Sequence, residues 1–226
     1  TLASSKDRIR RRNAEDRILV IRRKSVYVSV IVPTWNERNN VGPLLDRIHQ
    51  ALSSQDHEVI IVDDSSPDGT AHAVEDYIRR YPKQRTLLLS RPSKKGLSGA
   101  VLDGAELAQG EYLVMMDADL SHDPTVIPQM LTTLDSGYDV VVGSRYTGVV
   151  PGIEGWPLHR RIVSRLAIEI ARLLLHLKVR DLTSGFAAFR RKYLTDLPTR
   201  YSIRGFKLVL EVLVVWPKLR VTEYPN

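Results

Sequence analysis

Two carboxylates one residue apart, Asp117 and Asp119, close the run Met115-Met116-Asp117-Ala118-Asp119-Leu120. An apolar segment ending abruptly in such a pair can hold a divalent cation through hard oxygen ligands and share it with substrate phosphates. Mg2+ or Mn2+ suits that ligand set, and the chain has no cysteine to supply a softer one. The plainer use of the same residues is a strand-end turn in which Asp caps a helix. A second acidic group, Val62-Asp63-Asp64-Ser65-Ser66-Pro67-Asp68-Gly69-Thr70, consists of turn formers. Two adjacent like charges are costly for a turn alone, and hydrogen bonds to a base or ribose explain them better. The third piece, Val32-Pro33-Thr34-Trp35-Asn36-Glu37, offers an aromatic face and a carboxylate. Trp35 is served equally by stacking on a base and by packing on a sheet edge.

The elements around these pieces alternate. Short apolar runs at 26–32, 58–62, 85–89, 111–116 and 139–143 read as strands, the first ended by Pro33. Amphipathic stretches at 39–53, 70–80, 97–108 and 123–134 read as helices. Strands that are apolar throughout, separated by helices, predict an α/β fold with a mostly parallel sheet covered on both faces. Ligands of such sheets sit beyond the carboxyl ends of the strands. The loops after the first, second and fourth strands, which carry Glu37, Asp63–Asp64 and Asp117–Asp119, are therefore the place to look. No GxxxxGK[ST] phosphate loop occurs. Lys95-Gly96-Leu97-Ser98-Gly99 does not follow a strand directly and is a weak dinucleotide signal. His122 and His159 lie near the motifs, and surface or capping roles are expected for both.

With 226 residues, 43% hydrophobic and 26% charged, the chain fits one sizeable packed domain. The absence of cysteine excludes a disulfide scaffold and a thiol nucleophile. The net charge of +7 is concentrated at one end: residues 1–24 hold nine Lys/Arg against three Asp/Glu, leaving the body almost neutral. This divides the chain into a basic arm, 1–24, and a nearly neutral body, 25–226. The arm is either a solvated extension or a contact with an anionic membrane. Nucleic acid is not an expected partner, because the body adds no basic surface. No run reaches the ~18 apolar residues that span a bilayer, and no secretory signal opens the chain.

Taken together, PTWNE, VDDSSPDGT and GLSGAVLDGAELAQGEYLVMMDADLSHDP resemble the family 2 glycosyltransferases of the GT-A fold. GSRY at 143–146, Trp156 with Arg160 and Ser164, RDLTSGFAAFRR at 180–191 and GFKLVLE at 205–211 resemble the polyprenyl (dolichyl) phosphate mannosyltransferase branch. The resemblance runs from about residue 26 to the end of the chain.

That resemblance implies a GT-A, Rossmann-like domain that binds a nucleotide sugar through Pro33, Trp35, Glu37, Val62 and Asp64. Asp117, Ala118 and Asp119 would line the diphosphate and a Mg2+ or Mn2+ ion. Trp35 stands where Tyr is more usual. Ser121 stands where the family carries Gln as a further metal ligand, which puts the metal preference in question. Arg145 and Lys207 match residues facing the donor phosphates. Arg160 and Ser164 match residues proposed to hold the acceptor phosphate, and their spacing of four puts both on one helical face. In relatives, a strand like that at Glu223-Tyr224-Pro225 leads into a basic phosphate-binding loop, expected here to be truncated, disordered or replaced.

The implied reaction is an inverting transfer of mannose from GDP-mannose to a polyprenyl monophosphate. The expected setting is the cytoplasmic face of the endoplasmic reticulum or a prokaryotic plasma membrane, with the protein peripheral and an anchoring subunit as a possible partner. The segment from about 160 to 179 carries an apolar stripe, Ile162, Leu166, Ile170, Leu173, Leu174 and Leu177. It either lies in the membrane interface or packs on the sheet. Two alternatives share much of the pattern: a UDP-glucose- or UDP-GlcNAc-dependent transferase on the same fold, and a non-catalytic nucleotide-sugar-binding scaffold. Intact Asp117 and Asp119 argue against the scaffold.

Overall fold

The computed structural model describes residues 26–92, 96–144, 179–198 and 207–226. The basic arm at 1–24, Arg145, Arg160, Ser164, His159 and the amphipathic segment at 160–178 lie outside the described residues.

Numbered in chain order, the strands are β1 (Val28–Thr34), β2 (His57–Asp63), β3 (Thr86–Ser90), β4 (Tyr112–Met115), β5 (Val140–Ser144), β6 (Ala187–Arg190) and β7 (Val221–Pro225). The helices are α1 (Val41–Ala51), α2 (Thr70–Arg80), α3 (Leu97–Leu107), α4 (Ile127–Asp135), α5 (Lys192–Thr195) and α6 (Leu208–Val215). They form a single α/β domain around a seven-stranded sheet of order β3-β2-β1-β4-β6-β5-β7. Every strand pair is parallel except those made by β6, which runs antiparallel to both β4 and β5. The parallel α/β expectation holds, with this one reversed strand unread in the sequence.

The pleat sorts the core into two layers. Val28, Val30 and Val32 of β1 point to one face, against Leu44, Leu45 and Ile48 of α1 and Met130, Leu131 and Leu134 of α4. Ile31 points to the other, with Val101 and Ala105 of α3 and Leu208, Val209 and Val212 of α6. Gly104 lets α3 settle onto β1: a Cβ there would lie 2.6 Å from Ile31 Cγ2. That close approach sets the height of the α3 N-terminus above the sheet.

β1 runs two residues further than the sequence suggested, because Pro33 is inside the strand, opposite Val62. The parity of the ladder explains why this is tolerated. The Ile31 carbonyl accepts from the Met116 amide, while the Thr34 carbonyl accepts from the Asp64 amide. Odd-numbered residues of β1 therefore address β4, whose pairing with β1 stops at Ile31–Met115. Pro33 lacks an N–H only where no partner strand remains to accept it. The expected 123–134 helix is likewise split: Pro124–Val126 forms a 3-10 turn capped by the Asp123 carboxylate, which accepts from the Thr125 amide at 3.1 Å.

Candidate active site

β2, β1 and β4 are neighbours, so their carboxyl ends come together along one edge. The three acidic loops open onto a single cleft of about 340 Å³ there. Its wall brings together Pro33, Trp35 and Glu37 from the first loop, Asp64 from the second and Asp117, Ala118 and Asp119 from the third. Thr34, Gly96 and Leu97 complete the described wall. Val62 is not part of that wall. Its side chain is fully buried in the core, and its carbonyl accepts from Thr34 Oγ1 at 3.5 Å. Lys207 is exposed just before α6 and does not line the described cleft.

The second loop is mostly scaffold. Asp63 is buried, and its carboxylate accepts from Thr34 Oγ1 at 3.1 Å, Ser66 Oγ at 2.6 Å and the Ser66 amide at 3.0 Å. A base or ribose has no access to it, contrary to the reading of both acids as ligand groups. Three successive amides of the first loop are pinned from the second: Asn36 to Ser66 Oγ, Glu37 to Thr70 Oγ1 and Arg38 to Asp68 Oδ2. The Thr70 hydroxyl first, with backbone amides, holds the Asp68 carboxyl below its ordinary pKa against the opposing effect of desolvation. The turn residues thus hold Trp35 and Glu37 at the cleft.

Asp64 is the acid that reaches the cleft. Its Oδ1 is 2.5 Å from Arg91 Nη1, and its Oδ2 accepts from the Gly96 amide at 3.1 Å. Sequence reading missed Arg91, which looks like a loop cation in Ser90-Arg91-Pro92 but is buried. Its Nη1 also donates to the Gly96 carbonyl at 3.2 Å. Its Nε lies 2.9 Å from Asp103 Oδ2, an ion pair by distance but not aligned as a hydrogen bond.

In the third loop, burial would raise the Asp119 carboxyl, but hydrogen bonds from the Ser121 hydroxyl and amide, helped by a favourable electrostatic contribution from His122, outweigh it and lower its pKa. The Ser121 amide donates to Asp119 Oδ1 at 3.0 Å. Ser121, expected as a metal ligand, is here engaged with the carboxylate beside it. His122 is buried rather than on the surface, with Nε2 3.6 Å from Asp117 Oδ2.

Among the described residues, Asn36, Ser65 and Leu120 are the non-glycine residues with positive φ, at 63°, 60° and 64°. Each directly follows a cleft residue: Trp35, Asp64 and Asp119. A left-handed Leu costs on the order of 1 kcal/mol, and such strain concentrates where the backbone must aim a functional group.

The donor set fits a cation shared with a substrate. Among the described residues no group of three or more His, Asp or Glu could hold a metal unaided. Glu37, Asp117 and Asp119 face the cleft, and its described wall contains no Lys or Arg. One or two carboxylates plus substrate phosphates and water is the usual arrangement for Mg2+.

Residues 29–197 match the sequence pattern described as Glycosyl transferase family 2. The chain belongs to this family. Among curated family 2 relatives, it is 39% identical over 203 residues to a dolichol-phosphate mannosyltransferase of Pyrococcus furiosus, covering 88% of this chain and 55% of that protein. It is 36% identical to the dolichol-phosphate mannosyltransferase of Saccharomyces cerevisiae, over 85% of this chain and 72% of that one. It is 41% identical to a polyprenol monophosphomannose synthase of Mycolicibacterium smegmatis, over 74% and 63%. The chain thus spans about half the length of the first of these relatives.

Two solved structures share the fold. A glucosyl-3-phosphoglycerate synthase of Mycobacterium tuberculosis, in complex with Mn2+ and UDP-glucose, superposes with a TM-score of 0.67 at 20% identity, over 88% of this chain and 69% of that one. A mannosyltransferase of Pyrobaculum calidifontis, in complex with GDP-mannose and Mn2+, gives 0.63 at 22%, over 88% and 55%.

Proposed function

We propose that this protein is an inverting transferase that moves mannose from GDP-mannose to a polyprenyl (dolichyl) monophosphate. The observation that carries the reading is the convergence of Trp35, Glu37, Asp64, Asp117 and Asp119 on one cleft at three adjacent strand tips. The names of the relatives at 36–41% identity support mannose as the sugar and a polyprenyl phosphate as the acceptor class.

In this reading the guanine base lies against Trp35, beside Asp64. The diphosphate runs toward Asp117 and Asp119, past the first turn of α3. Gly96 and Leu97 line the cleft there, and the free amides of a helix N-terminus favour an anion. Asp117 and Asp119, with Ser121 beside them, would hold a divalent cation, Mg2+ or Mn2+, which when bound would supply positive charge to offset the departing diphosphate. Asp119 is ionised at neutral pH as any unperturbed aspartate is, and its Ser121 hydrogen bonds favour that form further.

The acceptor brings its own nucleophile. A phosphate monoester has a second pKa near ~6, so one oxygen is anionic at pH 7. That oxygen forms a bond to the anomeric carbon on the face opposite the donor phosphate. The bond from that carbon to the GDP oxygen breaks, and configuration inverts. No general base is required, and the residues act by alignment and charge stabilisation. Arg145 and Lys207 are proposed on the donor phosphates, and Arg160 with Ser164 on the acceptor phosphate.

A polyprenyl acceptor implies action at a membrane surface, proposed as the cytoplasmic face, with the basic arm or an anchoring subunit as the contact. No helix among the described residues is long and apolar enough to cross a membrane. The test is transfer of labelled sugar to dolichyl phosphate from GDP-mannose, UDP-glucose and UDP-GlcNAc, each with Mg2+ or Mn2+. Transfer from GDP-mannose alone is expected, and transfer confined to a UDP-sugar sinks the assignment.

A further inference from the structure

β6 runs against its neighbours, and this reversal has a consequence at the cleft. Met115 pairs with Ala187 in the antiparallel ladder. Continuing that register two residues past the end of β4 sets Asp117 opposite Gly185. The Asp117 carboxylate rests directly on the Gly185 Cα: a Cβ built there would overlap Oδ2 and Cγ and lie 2.6 Å from Oδ1. Gly185 cannot recede, because both its neighbours are buried and tied to β5. Ser184 Oγ donates to the Gly143 carbonyl at 2.6 Å, and the Gly143 amide donates to the Phe186 carbonyl at 2.9 Å.

The adjoining wall is His122. Its ring stacks on Phe186, centroids 5.2 Å apart, with Nε2 3.6 Å from Asp117 Oδ2. The Asn226 side chain fixes which nitrogen carries the proton. Asn226 Oδ1 accepts from the Asp123 amide at 3.3 Å, so its Nδ2 is turned to His122 Nδ1, at 2.6 Å. An amide nitrogen only donates, so Nδ1 accepts and the neutral ring presents its Nε2–H to Asp117.

We propose that Gly185 and His122 are positioning residues of the donor site, forming a seat that fixes the Asp117 carboxylate in its aim at the cleft. The proposal rests on the reading of Asp117 as a ligand of the cation and diphosphate. It explains why a glycine is needed at 185, whose φ is not in the left-handed region. The three nearest atoms a Cβ there would meet all belong to the end of the Asp117 side chain. Asp117 can swing aside at little cost to the fold, and the damage falls on the ligand geometry. Groups that orient a metal-binding carboxylate typically change metal affinity by about 10–100-fold when altered.

The test uses the full chain and the variants Gly185→Ala, His122→Ala, His122→Gln, Asp117→Ala and Gly185→Ala/Asp117→Ala. Mn2+ affinity is measured by calorimetry with GDP-mannose present, and melting temperature and the kcat and KM of transfer are followed in parallel. Gly185→Ala is expected to melt close to wild type and to bind Mn2+ about tenfold or more weakly. Adding it to Asp117→Ala should change affinity no further, because the two act through one group. His122→Gln, which can still donate toward Asp117, should recover affinity lost in His122→Ala. Wild-type Mn2+ affinity in Gly185→Ala, or an undiminished further loss in the double variant, overturns the proposal. If Gly185→Ala fails to fold, the two His122 variants decide, and equal affinity in both overturns it. Wild-type affinity in Asp117→Ala would instead sink the site assignment beneath it.

Discussion

Arg91 Nη1 stands 2.5 Å from Asp64 Oδ1, with both side chains almost wholly buried at the back of the cleft. Asp64 therefore meets the cleft already neutralised, both oxygens taken by Arg91 and the Gly96 amide. It holds the start of α3, whatever contact it makes with the proposed base.

Removing one partner of a buried pair leaves the other charge uncompensated, at a cost of about 3–5 kcal/mol. Arg91→Ala is expected to lose stability in that range in urea unfolding, and the KM for GDP-mannose should rise because Gly96 loses its tether. Asp64→Asn keeps the shape and can still accept from Gly96, so it should retain more of both. Equal stability of wild type and Arg91→Ala would show that the pair does not anchor the loop.

Trp35 is 38% exposed on the cleft wall, and its fit to a base can be tested. Stacking of a base on an aromatic ring is worth about 1–3 kcal/mol. Trp35→Ala should raise the donor KM by roughly tenfold or more while barely moving the melting temperature, and Trp35→Tyr should recover most of the loss. A large fall in melting temperature with unchanged KM would make Trp35 a packing residue.

The strands and the cleft were legible because both follow from local rules. Apolar runs such as Val59–Val62 admit no exposed face, and the acids at their ends must gather wherever β2, β1 and β4 are neighbours. What escaped the sequence depended on partners distant along the chain. Asp63 and Asp64 are chemically identical neighbours, and their partners separate a turn acid, held by Thr34 and Ser66, from a cleft acid, held by Arg91 27 residues on. His122 looked like a surface residue until Phe186 and Asn226 closed around it. Ala187–Arg190 is too short to announce itself as a strand, and its direction is set by a connection that no periodicity encodes. Pro33 reads as a stop because the sequence does not show which neighbour strand has already ended.

His49 gives the fold a predictable acid sensitivity. Its Nδ1 is 2.8 Å from His57 Nε2, and its Nε2 is 2.9 Å from Thr86 Oγ1. His57 Nδ1 faces the Gln55 carbonyl at 2.9 Å and must donate. His57 Nε2 therefore accepts from His49, which in turn accepts from Thr86, and the neutral tautomers are fixed along the row. Burial first and His57 second push the His49 pKa down to about 4, with Asp46 opposing weakly. The folded value lies below the unfolded one of 6.5, so the neutral form is favoured by folding. This contribution is complete above pH 6.5 and is lost as pH falls toward 4. Between pH 7.5 and 5, wild type should lose about 2 kcal/mol from this source. A His49→Gln variant should lack that part of the pH dependence, and matching slopes for the two proteins would refute the assignment.

The charge of the cleft makes a final prediction about order of binding. Glu37, Asp117 and Asp119 face the space assigned to a diphosphate, and no cation of the described wall offsets them. Coulomb repulsion between unit charges about 4 Å apart is about 4 kcal/mol at an intermediate effective dielectric, enough to keep an anionic donor out. GDP-mannose alone should therefore leave the melting temperature unchanged, Mn2+ alone should raise it slightly, and the two together should raise it by more than the sum. Ligand at a hundred times its dissociation constant stabilises by about 2.7 kcal/mol, which is readily resolved in a thermal melt. Asp119→Asn, which removes one charge but keeps the shape, should abolish the combined shift and lower kcat by about a hundredfold or more. Donor binding that is equally strong in EDTA would mean that cationic groups outside the described wall neutralise the diphosphate instead.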